Sequence, residues 1–93
     1  MLKHNRYFEG AVQSIGFERN GRLHTVGVVD SGEFHFDTGG AERMTVLSGE
    51  LAVRLSGGGE WRIYPAGTAF EIGAKSGFDV RASAPAAYLC EFL

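Results

Sequence analysis

Fourteen glycines are spread along this chain of 93 residues and divide it into short segments, which constrains its fold more than any other feature. Within the segments apolar and polar residues alternate, the period-two pattern of half-buried β-strands. No segment carries a sustained helical stripe of apolar residues. The chain is therefore predicted to be all-β, with about nine short strands at residues 11–17, 26–29, 33–37, 44–47, 51–55, 61–64, 70–72, 78–80 and 88–92.

Turn signals fall between the predicted strands. Asn20-Gly21 is a strong signal for a two-residue hairpin, because the favoured turn needs positive φ angles at both positions. Further turns are expected at residues 30–32, 39–40 and 57–59. The gaps leave no room for crossover helices. An antiparallel sheet has exposed edge strands unless it closes into a barrel or packs as a jelly roll. We therefore expect one domain, residues 1–93, folded as an antiparallel β-barrel or jelly roll.

The composition limits the partners of the chain. Its net charge is −2, its Lys and Arg residues are scattered, and it has no apolar run near the roughly 18 residues of a membrane span. Neither a nucleic acid nor a membrane is therefore expected as a partner. A domain of this size buries only about two-thirds of its unfolded surface, so we expect a homodimer in which a second copy covers apolar surface.

The single cysteine, Cys90, cannot form an internal disulfide, and the first residues lead into polar and turn residues instead of an apolar signal segment. Both features favour a reducing cytoplasm. Cys90 lies in an alternating, strand-like segment. A buried cysteine there acts as a small hydrophobe more often than as a nucleophile.

The residues His35-x-Asp37-x4-Glu42-x6-Gly49 resemble the first half of the metal-binding pattern of cupins, G-x5-H-x-H-x3,4-E-x6-G. Residues two apart on a strand share a face, so His35 and Asp37 point the same way, and Glu42 can return to them after a turn. Three possible ligands would then meet at one mouth of a cupin-like fold. Gly49 is expected to close a hairpin between the strands at 44–47 and 51–55.

The second half of the pattern reads Gly59-x5-Pro65-x-Gly67-x2-Phe70, with a tight turn expected at residues 65–67. Phe70 stands where cupins place a fourth ligand, a histidine. An aromatic ring cannot coordinate a metal, and divalent metals in cupins usually take four protein ligands that include several imidazoles. We therefore expect a site without a metal.

Three other interpretations of this pattern stay open. His35, Asp37 and Glu42 could form a three-ligand metal site of a cupin enzyme. Phe34 and Phe36 could instead face the core, which would leave His35 and Asp37 as a solvated pair on the other side of the strand. The incomplete ligand set is also compatible with a non-catalytic cupin that binds a ligand.

Seven stretches cover the chain nearly end to end: NRYFEG (5–10), SIGF (14–17), VGV (26–28), GEF (32–34), MTVLSG (44–49), YPAG (64–67) and YLC (88–90). In these stretches, in its length and in their order, the chain resembles the pyrimidine/purine nucleoside phosphorylases, small single-domain cupin-like proteins. The resemblance implies phosphorolysis of a broad range of purine and pyrimidine nucleosides to free base and ribose 1-phosphate, with inorganic phosphate as co-substrate and no cofactor. His35 and Asp37 depart from the family, where small hydroxyl residues are frequent at these positions.

Phosphorolysis passes through an oxocarbenium-like transition state, so such an enzyme needs a group that supports the sugar cation. Glu42 is the first candidate, because the cupin spacing aims its carboxylate at the mouth, where it could hold ribose hydroxyls or stabilise the cation. An ordinary surface glutamate is the competing interpretation. Glu33 shares the strand face of His35 and is a second candidate, and His35 and Asp37 would contact substrate at the mouth.

Phosphate binding needs cationic or backbone N–H donors. Arginine suits an oxyanion better than lysine does, because its planar guanidinium can donate two parallel hydrogen bonds. Arg43 is a candidate because it adjoins Glu42, although strand alternation would point it to the opposite face. The other arginines give no consistent signal, so the sequence does not locate the phosphate.

Broad specificity suits aromatic stacking, because every nucleobase offers a π face. Phe70 is the first candidate for a stacking platform, with core packing as its competing role. Tyr88 could also use its hydroxyl on the sugar. Further stacking candidates are Phe36, Tyr7, Phe8 and Tyr64.

Overall fold

The computed structural model of the protein describes residues 1–55 and 58–93. These residues form ten β-strands and a short 3-10 turn, η1, at Phe8–Gly10. The strands are β1 Lys3–Tyr7, β2 Val12–Arg19, β3 Arg22–Val29, β4 Gly32–Asp37, β5 Glu42–Ser48, β6 Glu50–Leu55, β7 Arg62–Pro65, β8 Ala69–Ile72, β9 Gly77–Ala82 and β10 Ala86–Phe92. Within these ranges no helix is long and apolar enough to cross a membrane.

The strands form two antiparallel sheets. One sheet has six strands in the order β1-β2-β3-β10-β5-β8, and the other has four in the order β4-β9-β6-β7. The core lies between them, and its most completely buried large side chains are Val12, Val29, Val46, Leu51 and Val80. The predicted all-β antiparallel jelly roll is confirmed. Closure into one barrel is not observed, because β1, β8, β4 and β7 remain sheet edges.

Sequence alternation predicted nine of the ten strands and missed β1. The residues of β1 are KHNRY, and four of the five are exposed. The strand pairs with β2 along its whole length, at the edge of the six-stranded sheet. A strand that buries no apolar side chain carries no period-two signal, which is why β1 escaped detection.

The hairpin at Asn20-Gly21 is confirmed: the two residues have φ angles of 54° and 76° and join β2 to its antiparallel neighbour β3. Of the predicted turn at 57–59, Gly57 lies outside the described residues. Gly58 and Gly59 have φ angles of 84° and 115°, which L-residues with side chains rarely adopt.

The hairpin predicted at Gly49 is wrong. β5 and β6 belong to different sheets, so Gly49 connects the two sheets instead of closing a hairpin. Its φ angle of 77° lies in the left-handed region that favours glycine, and its carbonyl accepts a 3.0 Å hydrogen bond from the amide of Ala66. The turn at 65–67 is confirmed, because the amide of Thr68 donates to the carbonyl of Pro65 at 3.1 Å.

Candidate active site

A cavity of about 430 Å³ lies between the two sheets, and side chains from both sheets line it. Its size falls within the usual range of small-ligand sites, about 300–1,000 Å³. The aromatic part of its lining consists of Tyr7, Phe8, Phe36, Phe78, Tyr88 and Phe92. The polar part includes Ser14, Thr25, Glu42 and Cys90. The cavity therefore offers apolar surface for a flat ring and polar groups for hydroxyls.

Glu42 begins β5 and lies in this cavity. Met44 and Val46, two and four residues further on, are buried in the core, so strand alternation directs Glu42 inward as well. Its Oε1 accepts a 3.3 Å hydrogen bond from the thiol of Cys90. Partial burial raises the pKa of Glu42 above its ordinary value, and the hydrogen bond from Cys90 opposes that rise. The carboxyl group is therefore poorly solvated, unlike that of a surface glutamate.

Tyr88 and Cys90 are alternate residues of β10, and both are buried against the cavity. Burial raises the pKa of Tyr88 to about 12. Burial and the neighbouring carboxyl of Glu42 raise the pKa of the Cys90 thiol well above its ordinary value. Both groups are protonated at neutral pH. A nucleophilic cysteine would need a thiolate, and Cys90 stays a thiol. Cys90 therefore has the predicted role of a buried packing residue, and its thiol donates a hydrogen bond.

The position of the Tyr88 ring depends on Gly27, its cross-strand partner in β3. A Cβ atom on Gly27 would lie 2.6 Å from Cζ and from Oη of Tyr88, and 2.8 Å from the carbonyl oxygen of Gln13. The ring therefore lies directly across the glycine backbone. Ser14 pairs with Gly27 from the other side, and its side chain lies next to the Tyr88 hydroxyl.

His35 and Asp37 lie at the rim of the cavity and are exposed. Nδ1 of His35 lies 2.8 Å from Oδ1 of Asp79, and its Nε2 lies 3.0 Å from Oδ1 of Asp37. These two hydrogen bonds, first the one to Asp79 and then the one to Asp37, raise the pKa of His35. Asp79 also accepts a 3.1 Å hydrogen bond from Arg54, and hydrogen bonds from His35 and Arg54 lower its pKa. A chain of hydrogen-bonded side chains therefore runs from Asp37 at the rim through His35 and Asp79 to Arg54.

The predicted metal ligands do not assemble. His35 and Asp37 contact each other at the exposed rim, whereas Glu42 is partly buried inside the cavity. Across residues 1–55 and 58–93, no three His, Cys, Asp or Glu side chains are grouped so that they could hold a metal ion. Phe34 and Phe36 pack against the core, which confirms the interpretation that places them opposite the exposed pair.

Three predicted substrate contacts lie outside the cavity. Phe70 is buried in the core with its ring centroid 4.7 Å from that of Tyr64, and it does not line the cavity. Glu33 is exposed on the outer face of the four-stranded sheet. Arg43 alternates with the inward Glu42 and points outward, where its guanidinium binds Glu71 at 2.7 Å.

Sequence reasoning missed the inner wall of the cavity formed by Ser14, Thr25 and Gly27. Ser14 pairs with Gly27, and Gly27 pairs with Tyr88, so this wall exists only because β2, β3 and β10 lie side by side in this register. No local pattern connects segments so far apart in the chain. The available signal was the small residues at alternate positions, Ser14 with Gly16 and Thr25 with Gly27, which leave room on one face of their strands.

The two sheets form a cupin-like jelly roll. The structure is similar to an RmlC-like cupin from Shewanella frigidimarina, with a TM-score of 0.77 at 15% identity, over 99% of this chain and 83% of that one. It is more similar to a protein of unknown function from Vibrio parahaemolyticus, with a TM-score of 0.97 at 41% identity, over 100% of this chain and 99% of that one.

Residues 2–92 match the family described as pyrimidine/purine nucleoside phosphorylase. A protein of that name from Sorangium cellulosum is 70% identical over the whole length of both chains. Another from Aeromonas salmonicida is 48% identical over 100% of this chain and 99% of its own. The chain therefore belongs to the pyrimidine/purine nucleoside phosphorylase family, as the sequence stretches predicted.

Proposed function

We propose that the protein is a pentosyltransferase that cleaves purine and pyrimidine nucleosides with inorganic phosphate. The products are the free base and ribose 1-phosphate, phosphate is the co-substrate, and no cofactor takes part. Family membership over residues 2–92 supports the reaction class. The observation that carries the proposal is the carboxyl group of Glu42, held partly buried in a cavity that is large enough for a small ligand and lined by aromatic rings.

In this reaction a phosphate oxygen forms a bond to the anomeric carbon of the ribose while the bond from that carbon to the base nitrogen breaks. The base leaves with the electron pair of that bond and takes up a proton, which phosphate supplies overall. Positive charge develops on the sugar in the transition state. A carboxylate at Glu42 stabilises that charge or fixes the ribose hydroxyls, and the partial burial of the group strengthens its effect.

Hydroxyl groups are the proposed ligands of the phosphate. Among the cavity-lining residues of the described chain there is no lysine or arginine, and the predicted contact Arg43 is bound to Glu71 elsewhere. Ser14, Thr25 and Tyr88 line the cavity and have hydroxyl donors. Since Tyr88 keeps its proton far above neutral pH, it can donate to a phosphate or sugar oxygen throughout the physiological range.

The proposal predicts base release that requires phosphate. Purified protein incubated with uridine or adenosine should release uracil or adenine only when phosphate is present, as measured by chromatography. A chelator should leave the rate unchanged, because the ligand set of a metal cupin is not assembled. Base release without phosphate would indicate a hydrolase, loss of activity with chelator would indicate a metal enzyme, and no release would contradict any nucleoside cleavage.

We also propose that the protein is a homodimer in the cytoplasm. The outer face of the six-stranded sheet supports the dimer, because Ile15 and Val26 are cross-strand partners that remain 40% exposed, and Leu89 lies beside Val26. Adjoining apolar residues on one sheet face favour burial against a second copy. Light scattering should therefore give twice the chain mass, and Val26→Glu should reduce it to one chain mass. A wild-type mass of one chain would contradict the proposal.

A further inference from the structure

We propose that Phe8 is the residue on which the base of the nucleoside stacks, an inference that rests on the proposed function. It replaces Phe70, which the fold buries in the core. Phe8 lines the cavity and is 47% exposed, whereas Phe78 and Tyr88 in the same lining are 2% and 6% exposed. Phe8 therefore presents far more accessible ring surface to a ligand than these two rings.

The ring of Phe8 is also held in place by other aromatic rings. Its centroid lies 5.1 Å from that of Phe34, and it meets the ring of Phe36 nearly at a right angle with centroids 5.7 Å apart. Both partners pack against the hydrophobic core. Such contacts fix a ring without covering all of it. Tyr7 is the other exposed aromatic residue of the lining, and it has no ring contact of this kind among the described residues.

The backbone at Phe8 is held in an unfavourable conformation. Phe8 and Glu9 have φ angles of 52° and 56°, which are uncommon for residues with a side chain, and Gly10 follows at 92°. Two hydrogen bonds fix the turn: Nη2 of Arg6 donates to the carbonyl of Glu9 at 3.0 Å, and the amide of Ala11 donates to the carbonyl of Phe8 at 3.1 Å. Strain of this kind persists where the surroundings impose it, and it is frequent at ligand clamps.

The polar groups of the cavity fit the same placement of the substrate. Ser14, Tyr88 and Cys90 are buried at 3%, 6% and 3% exposure, so the hydroxyls and the Glu42 carboxyl that Cys90 contacts lie deeper than the exposed ring of Phe8. A nucleoside would then enter with its sugar toward the buried polar groups and its base at the rim. Stacking accepts purines and pyrimidines alike, because it uses the ring face and no edge hydrogen bonds.

Titration calorimetry with adenosine and with uridine, in the absence of phosphate, tests this role. Phe8→Ala should weaken binding of both nucleosides on the order of 10- to 100-fold, as expected for the loss of one base–aromatic stack. Phe8→Leu keeps apolar packing against Phe34 and Phe36 but has no π face, so it should recover little of the loss. Phe8→Trp should restore most of it. Phe17→Ala is the matched control, because Phe17 stacks on His24 outside the cavity.

The outcomes separate the two proposals. Unchanged affinity in Phe8→Ala, or a loss in Tyr7→Ala that Phe8→Ala does not share, would overturn the role of Phe8 even if the wild type is an active phosphorylase. Nucleoside binding that depends on Phe8, in a protein that never releases base, would support the stacking role and overturn the proposed reaction. A wild type that binds neither nucleoside, whether phosphate is present or absent, would overturn both. Melting temperatures of the variants identify any loss caused by unfolding.

Discussion

Glu42→Gln should lower kcat/KM for uridine and adenosine by about 10²- to 10⁴-fold while the protein stays folded. The substitution keeps the shape of the side chain and an oxygen that can accept the hydrogen bond from Cys90, which lies 3.3 Å from Oε1 in the wild type. It removes the negative charge that the transition state needs. Steady-state kinetics with both nucleosides measure the effect. Glu18→Gln, on an exposed part of β2, should change nothing.

The same variant should gain stability relative to the wild type as the pH rises. Burial raises the pKa of Glu42 above its ordinary 4.5, so the folded state holds this proton more tightly than the unfolded state. The stability contributed by the protonated form is complete below about pH 4.5 and is lost as the pH rises through the folded-state pKa. Glutamine has no such loss. Denaturant unfolding should therefore show Glu42→Gln equal to the wild type at low pH and more stable at pH 8.

A wild-type rate in Glu42→Gln would contradict the assignment of this residue. A variant that is inactive and also less stable at pH 8 would instead make the carboxylate a structural element. An inactive variant that is at least as stable as the wild type is the pattern expected of a charge kept in the cavity for catalysis.

Gly27→Ala should destabilise the fold and impair activity together. The new Cβ would lie 2.6 Å from the Tyr88 ring and 2.8 Å from the carbonyl oxygen of Gln13, and that backbone atom cannot move aside cheaply. Overpacking of this kind costs about 1–3 kcal/mol, and each 1 kcal/mol lowers the melting temperature of a domain this size by roughly 4–8 °C. The displaced Tyr88 hydroxyl should also reduce kcat/KM. Thermal unfolding and kinetics measure the two effects.

Gly73→Ala is the matched control, because nothing lies within 4 Å of a Cβ at Gly73. Its melting temperature and activity should match those of the wild type. If Gly27→Ala were as stable and as active as this control, the ring of Tyr88 would not depend on Gly27, and the described shape of the inner cavity wall would be wrong.

Much of the fold could be predicted because the strands bury one face. Each of the nine predicted strands has apolar residues at alternate positions, and the spacing of glycines indicated the turns. β1 could not be predicted, because its residues are mostly exposed and it is held by backbone pairing to β2. The connection at Gly49 was misread for a related reason, since alternation reveals a strand but not the sheet to which it belongs.

Residues of the cavity lining could be predicted where a single strand decides the direction of a side chain. Glu42 was expected at the mouth of the fold and Tyr88 was expected to contact the sugar, and both side chains line the cavity. Phe70 could not be distinguished from a cavity residue, because a core residue and a lining residue share the inner face of a strand, and only the packing of the opposite sheet separates them. Phe8 could not be ranked above the other aromatic candidates, because its exposure depends on a left-handed turn.

In the proposed reaction, phosphate attacks the anomeric carbon of a nucleoside held in this cavity. Phosphorus-31 NMR of a reaction containing wild-type protein, uridine and inorganic phosphate measures this directly, with Glu42→Gln at the same concentration as a control. We predict that a ribose 1-phosphate resonance grows in equimolar amount with the uracil released, and that it grows far more slowly with the variant. Uracil released without that resonance, or no uracil at all from the folded wild-type protein, would contradict the account.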